Sequence, residues 1–220
     1  MNIIMEKQLH KRAAVYILGL FILAVGVAFA INSDLGVSPV NSLPYILSRI
    51  FAVNMGICVF AFFALLVLCQ IIILRNRFKW INLTQIVAAF IFGYFVDLAR
   101  LIVGDFTLPT YFGQLAMLGI SIVLIATGII FFIDAKLVSL PPEGLVLAIT
   151  EKKPSWSFHG VKMVVDSAFV IIAIFFAFLF LDSIYGVREG TVLSAVLIGK
   201  VIPYIKKVTD PFLNRVLGDI

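Results

Sequence analysis

The sequence predicts an all-α polytopic membrane protein with six transmembrane helices plus two re-entrant or short half-helices in an inverted 3+3 repeat. Three observations lead there. The chain is 62% hydrophobic and only 13% charged, whereas soluble domains carry about 25% charged residues. Six apolar stretches approach or reach the about 20 residues needed to cross hydrocarbon, and two are too short. The order of elements and their prolines recur about 100 residues apart.

The long stretches are Ala13–Ile31, Gly56–Leu74, Leu83–Val103, Phe112–Ile133, Gly160–Leu181 and Thr191–Ile205. The N-terminal run follows Lys7, Lys11 and Arg12 and lacks a small-residue cleavage site, so it is expected to stay as a first span rather than act as a removed signal. Pro39–Phe51 follows the first span and Pro141–Thr150 the fourth. Each opens on proline, which fits a helix's first turn because its missing N–H is not needed there. A helix of 13 residues reaches only about 20 Å.

Charge decides whether the short helices cross. With six crossings and a cytoplasmic N-terminus, the inner segments hold Lys7, Lys11, Arg12, then Arg75, Arg77, Lys79, then Lys136, Lys152, Lys153, and finally Lys206, Lys207, Arg215. The outer segments hold Arg49, Arg100 and Arg188. Making both short helices cross would move the Arg75–Lys79 cluster outside, against the positive-inside bias. The expected location is therefore a bacterial plasma (inner) membrane, with both termini cytoplasmic. The net charge of +5 is then orientation chemistry and not a nucleic-acid footprint.

A shift of 102 superposes Gly26 on Gly128, Phe29 on Phe131, Pro39 on Pro141, Asn41 on Glu143 and Leu43 on Leu145; a shift of 106 superposes Ala89 on Ala195 and Gly93 on Gly199. Residues 1–110 and 111–220 thus each read span, half-helix, span, span. Three crossings per half is an odd number, so the halves face opposite ways, as in many secondary transporters.

Candidate site residues follow from that plan. Asn41 with Ser42, and Glu143 with Gly144, open the two short helices. There they serve as ordinary helix-start chemistry or, if the starts meet near the midplane, line an anion-accepting site. Glu143, protonated or paired with a lysine, could couple transport to protons. Lys200 lies about ten residues into the sixth span, where a charge faces the bundle interior or snorkels to the interface. Asp166, one turn after Lys162, is a local pair or a coupling residue. Asp97 is expected to pair with Arg100 or, as a weaker member of the site, to serve with Asp166 in coupling or proton relay, while Gly93 would admit a neighbouring backbone. Asp34 and Asp134 read as solvated caps. Small residues at Gly19, Gly26, Ala30, Gly119 and Gly128 suit close packing within or between protomers, so a homodimer is one expected assembly. The run from Phe169 to Phe180 suits a lipid-facing or packing surface, and Trp80 and Trp156 suit interfacial anchoring.

Nothing in the residue inventory points to an enzyme, a cofactor or a metal. There is no HExxH, no phosphate-cradling glycine loop and no CxxC. Cys58 and Cys69 lie 11 residues apart in one apolar stretch, out of reach of each other on a helix.

The run Asp34-Leu35-Gly36-Val37-Ser38-Pro39, Gly93 with Asp97, and the second copy at Pro141–Leu145 resemble the YczE/YyaS/YitT-type bacterial integral membrane proteins over essentially the whole chain. In that family a GxGP(W)D pattern tends to open the first half-helix. This sequence departs from it with Ser38 for the second glycine, Val40-Asn41 for Trp-Asp, and Pro142-Glu143 in the second copy. The resemblance implies a plasma-membrane protein and supplies no substrate. The expected function is secondary transport of a small anionic or zwitterionic solute. The alternatives are a membrane-embedded substrate-binding subunit of an ATP-driven uptake system and a non-transporting accessory protein.

Overall fold

The computed structural model describes residues 2–181 and 186–218, with side chains from Leu9 onward; the side chain of Lys7 lies outside the described residues. The chain forms α1 (Asn2–Asn32), α2 (Pro39–Phe51), α3 (Met55–Leu74), α4 (Thr84–Val103), α5 (Tyr111–Asp134), α6 (Pro141–Lys152), α7 (Phe158–Leu181) and α8 (Glu189–Leu217), with 3-10 turns at Arg75–Arg77 and Trp80–Leu83. No strand occurs among the described residues. Five helices, α1, α3, α4, α5 and α7, are long and apolar enough to cross a membrane. The eighth is longer, 29 residues, but carries Lys200, Lys206, Lys207 and Asp210 and continues through Pro203 and Pro211. The short helices have 13 and 12 residues, about 20 and 18 Å at 1.5 Å per residue.

The centre of the fold is the crossing of α1 and α5, built on small residues that let backbones approach. A methyl group on Gly19 would meet Gly128 and Phe132, and one on Gly26 would meet Ile125. Ser121 donates to the Gly26 carbonyl at 2.7 Å. Residue numbers rise along one helix as they fall along the other, so α1 and α5 run antiparallel. Both end in a residue with left-handed backbone before the turn to the short helix, Asp34 at φ 54° and Lys136 at φ 52°. These two positions are 102 apart.

Around this crossing α4 packs on α1 and α8 on α5, while both short helices pack on the pair α3 and α7. Rings lock the layers: Phe63 stacks on Phe92 between α3 and α4, and Phe62 meets Phe169 edge-on between α3 and α7. Outside, Phe175, Phe178 and Phe180 are exposed, the pattern of a surface that faces lipid.

One close contact joins α3 to α4. Gly56 of α3 and Gly93 of α4 touch backbone to backbone, so neither position has space for a methyl group. The shift of 106 sets Gly199 against Gly93, and Gly160 opens the apolar stretch read as the match of the one that Gly56 opens. Gly160 meets only Ser157, and Gly199 faces open space. The α3–α4 contact is closed, whereas Gly160 and Gly199 do not touch each other.

Candidate functional site

The start of α6 gathers the polar side chains. Leu140 is extended, and Pro141 and Pro142 fill the first turn, supplying no N–H. The Gly144 amide donates to the Leu140 carbonyl at 2.9 Å. Few free amides therefore remain there to hold an anion, and side chains set the chemistry instead.

Lys162, on the second turn of α7, reaches two acids. Its ammonium lies 2.9 Å from Asp166 Oδ1 and 3.8 Å from Glu143 Oε1. The three side chains are 21–26% exposed, too little for free hydration. The second carboxylate oxygen of Glu143 is buried and accepts no hydrogen bond among the described residues. Two carboxylates share one ammonium, so the cluster carries one surplus negative charge when both acids are ionised. A buried surplus charge is costly and invites a proton or a cationic group of a ligand. Tyr16 of α1 lies within range of the Glu143 charge; its hydroxyl is also buried without a partner among the described residues.

Behind the acid, Gln70 and Gln85 form a reciprocal amide pair, with Nε2 to Oε1 distances of 3.0 and 3.2 Å. Gln70 Nε2 also donates to the Pro141 carbonyl at 3.2 Å. Gly144 makes this possible: a methyl group there would lie 2.6 Å from Gln85 Oε1 and 2.9 Å from the Gln70 amide. The pair ties the end of α3 and the start of α4 to the start of α6.

The start of α2 differs. Asn41 is buried and its Nδ2 donates to Ser38 Oγ at 2.9 Å, leaving Oδ1 without a partner among the described residues. Ser42 donates to the Pro39 carbonyl at 2.7 Å. The preceding loop is stitched to the connection between α7 and α8. Val37 N donates to Gly186 O at 3.0 Å, Gly190 N to Leu35 O at 2.8 Å, and Arg188 to the Asp34 carbonyl at 2.7 Å. Thus α2 starts beyond the end of α7 and α6 starts beside its beginning. No hydrogen bond or ion pair joins Asn41 to Glu143 among the described residues.

Of the residues singled out by sequence, Glu143, Gly144 and Asp166 come together, whereas Asn41 and Ser42 bond within their own helix start. Lys200 is exposed on α8, outside the cluster. Asp97 does not take the Arg100 partner expected of it. Its Oδ1 accepts from Gly56 N at 2.7 Å, because the Gly56–Gly93 contact brings the start of α3 against it. Asp134 is not solvated either: it is buried and paired with Lys206 at 3.2 Å, since α8 covers the end of α5. Gln70, Gln85 and Tyr16 were not anticipated. The glutamines carried a readable signal, an amide near each end of an apolar run, where polar side chains act as interhelical glue.

The sequence is 28% identical over 211 residues to the uncharacterized membrane protein YczE of Bacillus subtilis (strain 168), covering 96% of this chain and 92% of that protein. It is also 28% identical over 162 residues to the uncharacterized protein YyaS of the same organism, covering 73% and 79% of the two chains. No solved structure matches it. Residues 10–207 match the family of unknown function DUF6198, and the chain is a membrane protein belonging to that family.

Proposed function

We propose that the protein is a secondary transporter of a small zwitterionic solute, with the Glu143–Lys162–Asp166 cluster as its binding and coupling site. The observation that carries this reading is one ammonium shared by two carboxylates in a partly enclosed position, with an oxygen of Glu143 left unpartnered. A solute's cationic group answers the surplus carboxylate, and its anionic group answers Lys162 once Glu143 or Asp166 is protonated. A purely anionic solute is the weaker of the two predicted classes, because the prolines remove the amides that would hold it.

An inverted repeat with six crossings supports transport. The antiparallel α1 and α5, the two left-handed turn residues and the entry of α2 and α6 at opposite ends of α7 all favour that plan. The eighth helix completes the sixth crossing in this reading: Arg188 at its start contacts Asp34 after α1, and Lys206 pairs with Asp134 at the far end of α5. The closed Gly56–Gly93 contact and the splayed Gly160–Gly199 pair fit one state of an alternating pair, in which the two halves exchange arrangements. In this reading the protein sits in the plasma membrane with both termini cytoplasmic, and it assigns no enzymatic step.

The test is a thermal-stability screen of the purified protein in detergent against amino-acid-like zwitterions, simple carboxylates and simple amines. Zwitterions are expected to raise the unfolding midpoint, and Glu143→Gln is expected to remove that shift. A shift only with carboxylates, or a zwitterion shift unchanged in Glu143→Gln, would overturn the assignment.

A further inference from the structure

We propose a second site, separate from the Glu143 cluster, that binds the phosphate of an anionic phospholipid in the cavity between the end of α3 and the end of α6. The cavity has a volume of about 370 Å³ and is lined by Arg75, Asn76, Arg77 and Lys152 with Ile73 and Leu74. None of its three cations forms an ion pair with an acid among the described residues. Lys152 Nζ donates to the Ile73 carbonyl at 3.0 Å, which fixes the ammonium at the rim and leaves it two further N–H donors.

The backbone there is held in an unfavourable form to shape this rim. Arg75 closes α3 at φ 49°, ψ −116° and begins a 3-10 turn that carries Asn76 and Arg77 around the cavity. A non-glycine residue in this region is strained, and such strain gathers at ligand-holding turns. Two arginines and a lysine line this one cavity with no acid among its lining residues, the chemistry of a phosphoryl-oxygen receptor.

Charge complementarity and surroundings favour a lipid as the source of that phosphate. Ile72, Trp80 and Ile81 are 69%, 79% and 68% exposed beside the basic rim, giving acyl chains an apolar surface and the interface an aromatic anchor. Basic pockets between helix ends at a membrane surface recognise anionic headgroups, because each nearby cation adds to the attraction.

The test is the unfolding midpoint of the purified protein in neutral detergent, titrated with phosphatidylglycerol, phosphatidylcholine or inorganic phosphate. Phosphatidylglycerol is expected to raise the midpoint saturably, and phosphatidylcholine and millimolar phosphate to leave it unchanged. The variant R75Q/R77Q/K152Q should lose the phosphatidylglycerol shift, while K11Q/R12Q/K207Q, which removes the same charge elsewhere, should keep it. Native mass spectrometry supplies a readout independent of stability: retained phosphatidylglycerol should fall at least fivefold in the first variant and not in the second. Equal loss in both variants would reduce the effect to bulk charge and overturn the site. A shift of the same size with inorganic phosphate would overturn the lipid assignment.

Discussion

Replacing Lys162 by methionine tests the charge cluster most sharply. The substitution keeps the stem and removes the ammonium that lies 2.9 Å from Asp166 and 3.8 Å from Glu143. Two facing carboxylates are then left with no cation. Removing one partner of a fully buried pair costs about 3–5 kcal/mol. These side chains keep about a quarter of their surface, and the longer contact contributes little, so screening reduces the cost to about 1–3 kcal/mol. For a chain of this size that corresponds to a fall of about 3–10 °C in the unfolding midpoint. The assay is thermal unfolding in detergent at pH 7.5 and again at pH 5. Burial already raises the Glu143 carboxyl above its ordinary range, so at the lower pH it takes up a proton and the deficit should shrink. The triple variant E143Q/K162M/D166N, which removes all three charges, should recover most of the lost stability. A K162M protein as stable as the parent at pH 7.5 would refute the reasoning, as would a triple variant no more stable than K162M.

Other outcomes follow from the same geometry. Gly144→Val should cost about 2–3 kcal/mol, because the added carbons meet the Gln70–Gln85 pair and overpacking costs about 1–3 kcal/mol; circular dichroism melting reads it. Asp97→Ala should cost about 1 kcal/mol by removing the cap on Gly56 N, with Asp97→Asn losing less. Lys206→Ala leaves the buried Asp134 unpaired and should cost about 1–3 kcal/mol, again read by melting. Lys200→Met should leave stability and transport unchanged. Single cysteines at Asn76 and Asp105 should react with impermeant maleimide from opposite sides of the membrane; labelling of both from one side would remove the six-crossing plan.

The helices were legible because their signals are local. Apolar runs long enough to span, with Pro39 and Pro141 at the first helical positions, mark where helices begin, and α2 carries the bounds read from its sequence. Ends without such punctuation were not legible. The eighth helix continues to Leu217 through two prolines, because its packing on α5, with Phe212 stacked on Phe131, outweighs the local penalty. At the site, Glu143 and Asp166 stood out as acids in apolar surroundings. Their convergence on Lys162 did not, since it depends on how α6 lies against α7. Lys200 looked intramembrane by depth along the chain, yet depth does not say which face of α8 it occupies. Asp97 illustrates the same limit: its neighbour in sequence is Arg100, but its partner in space is an amide 41 residues away.

Uptake measured in proteoliposomes tests the central claim most directly. The probe is a radiolabelled zwitterion that stabilises the protein, supplied with an inwardly directed proton gradient. Saturable, gradient-dependent accumulation is expected, abolished by Glu143→Gln and left intact by Lys200→Met. Flux that never saturates, or accumulation of equal size in the Glu143→Gln protein, would contradict the claim.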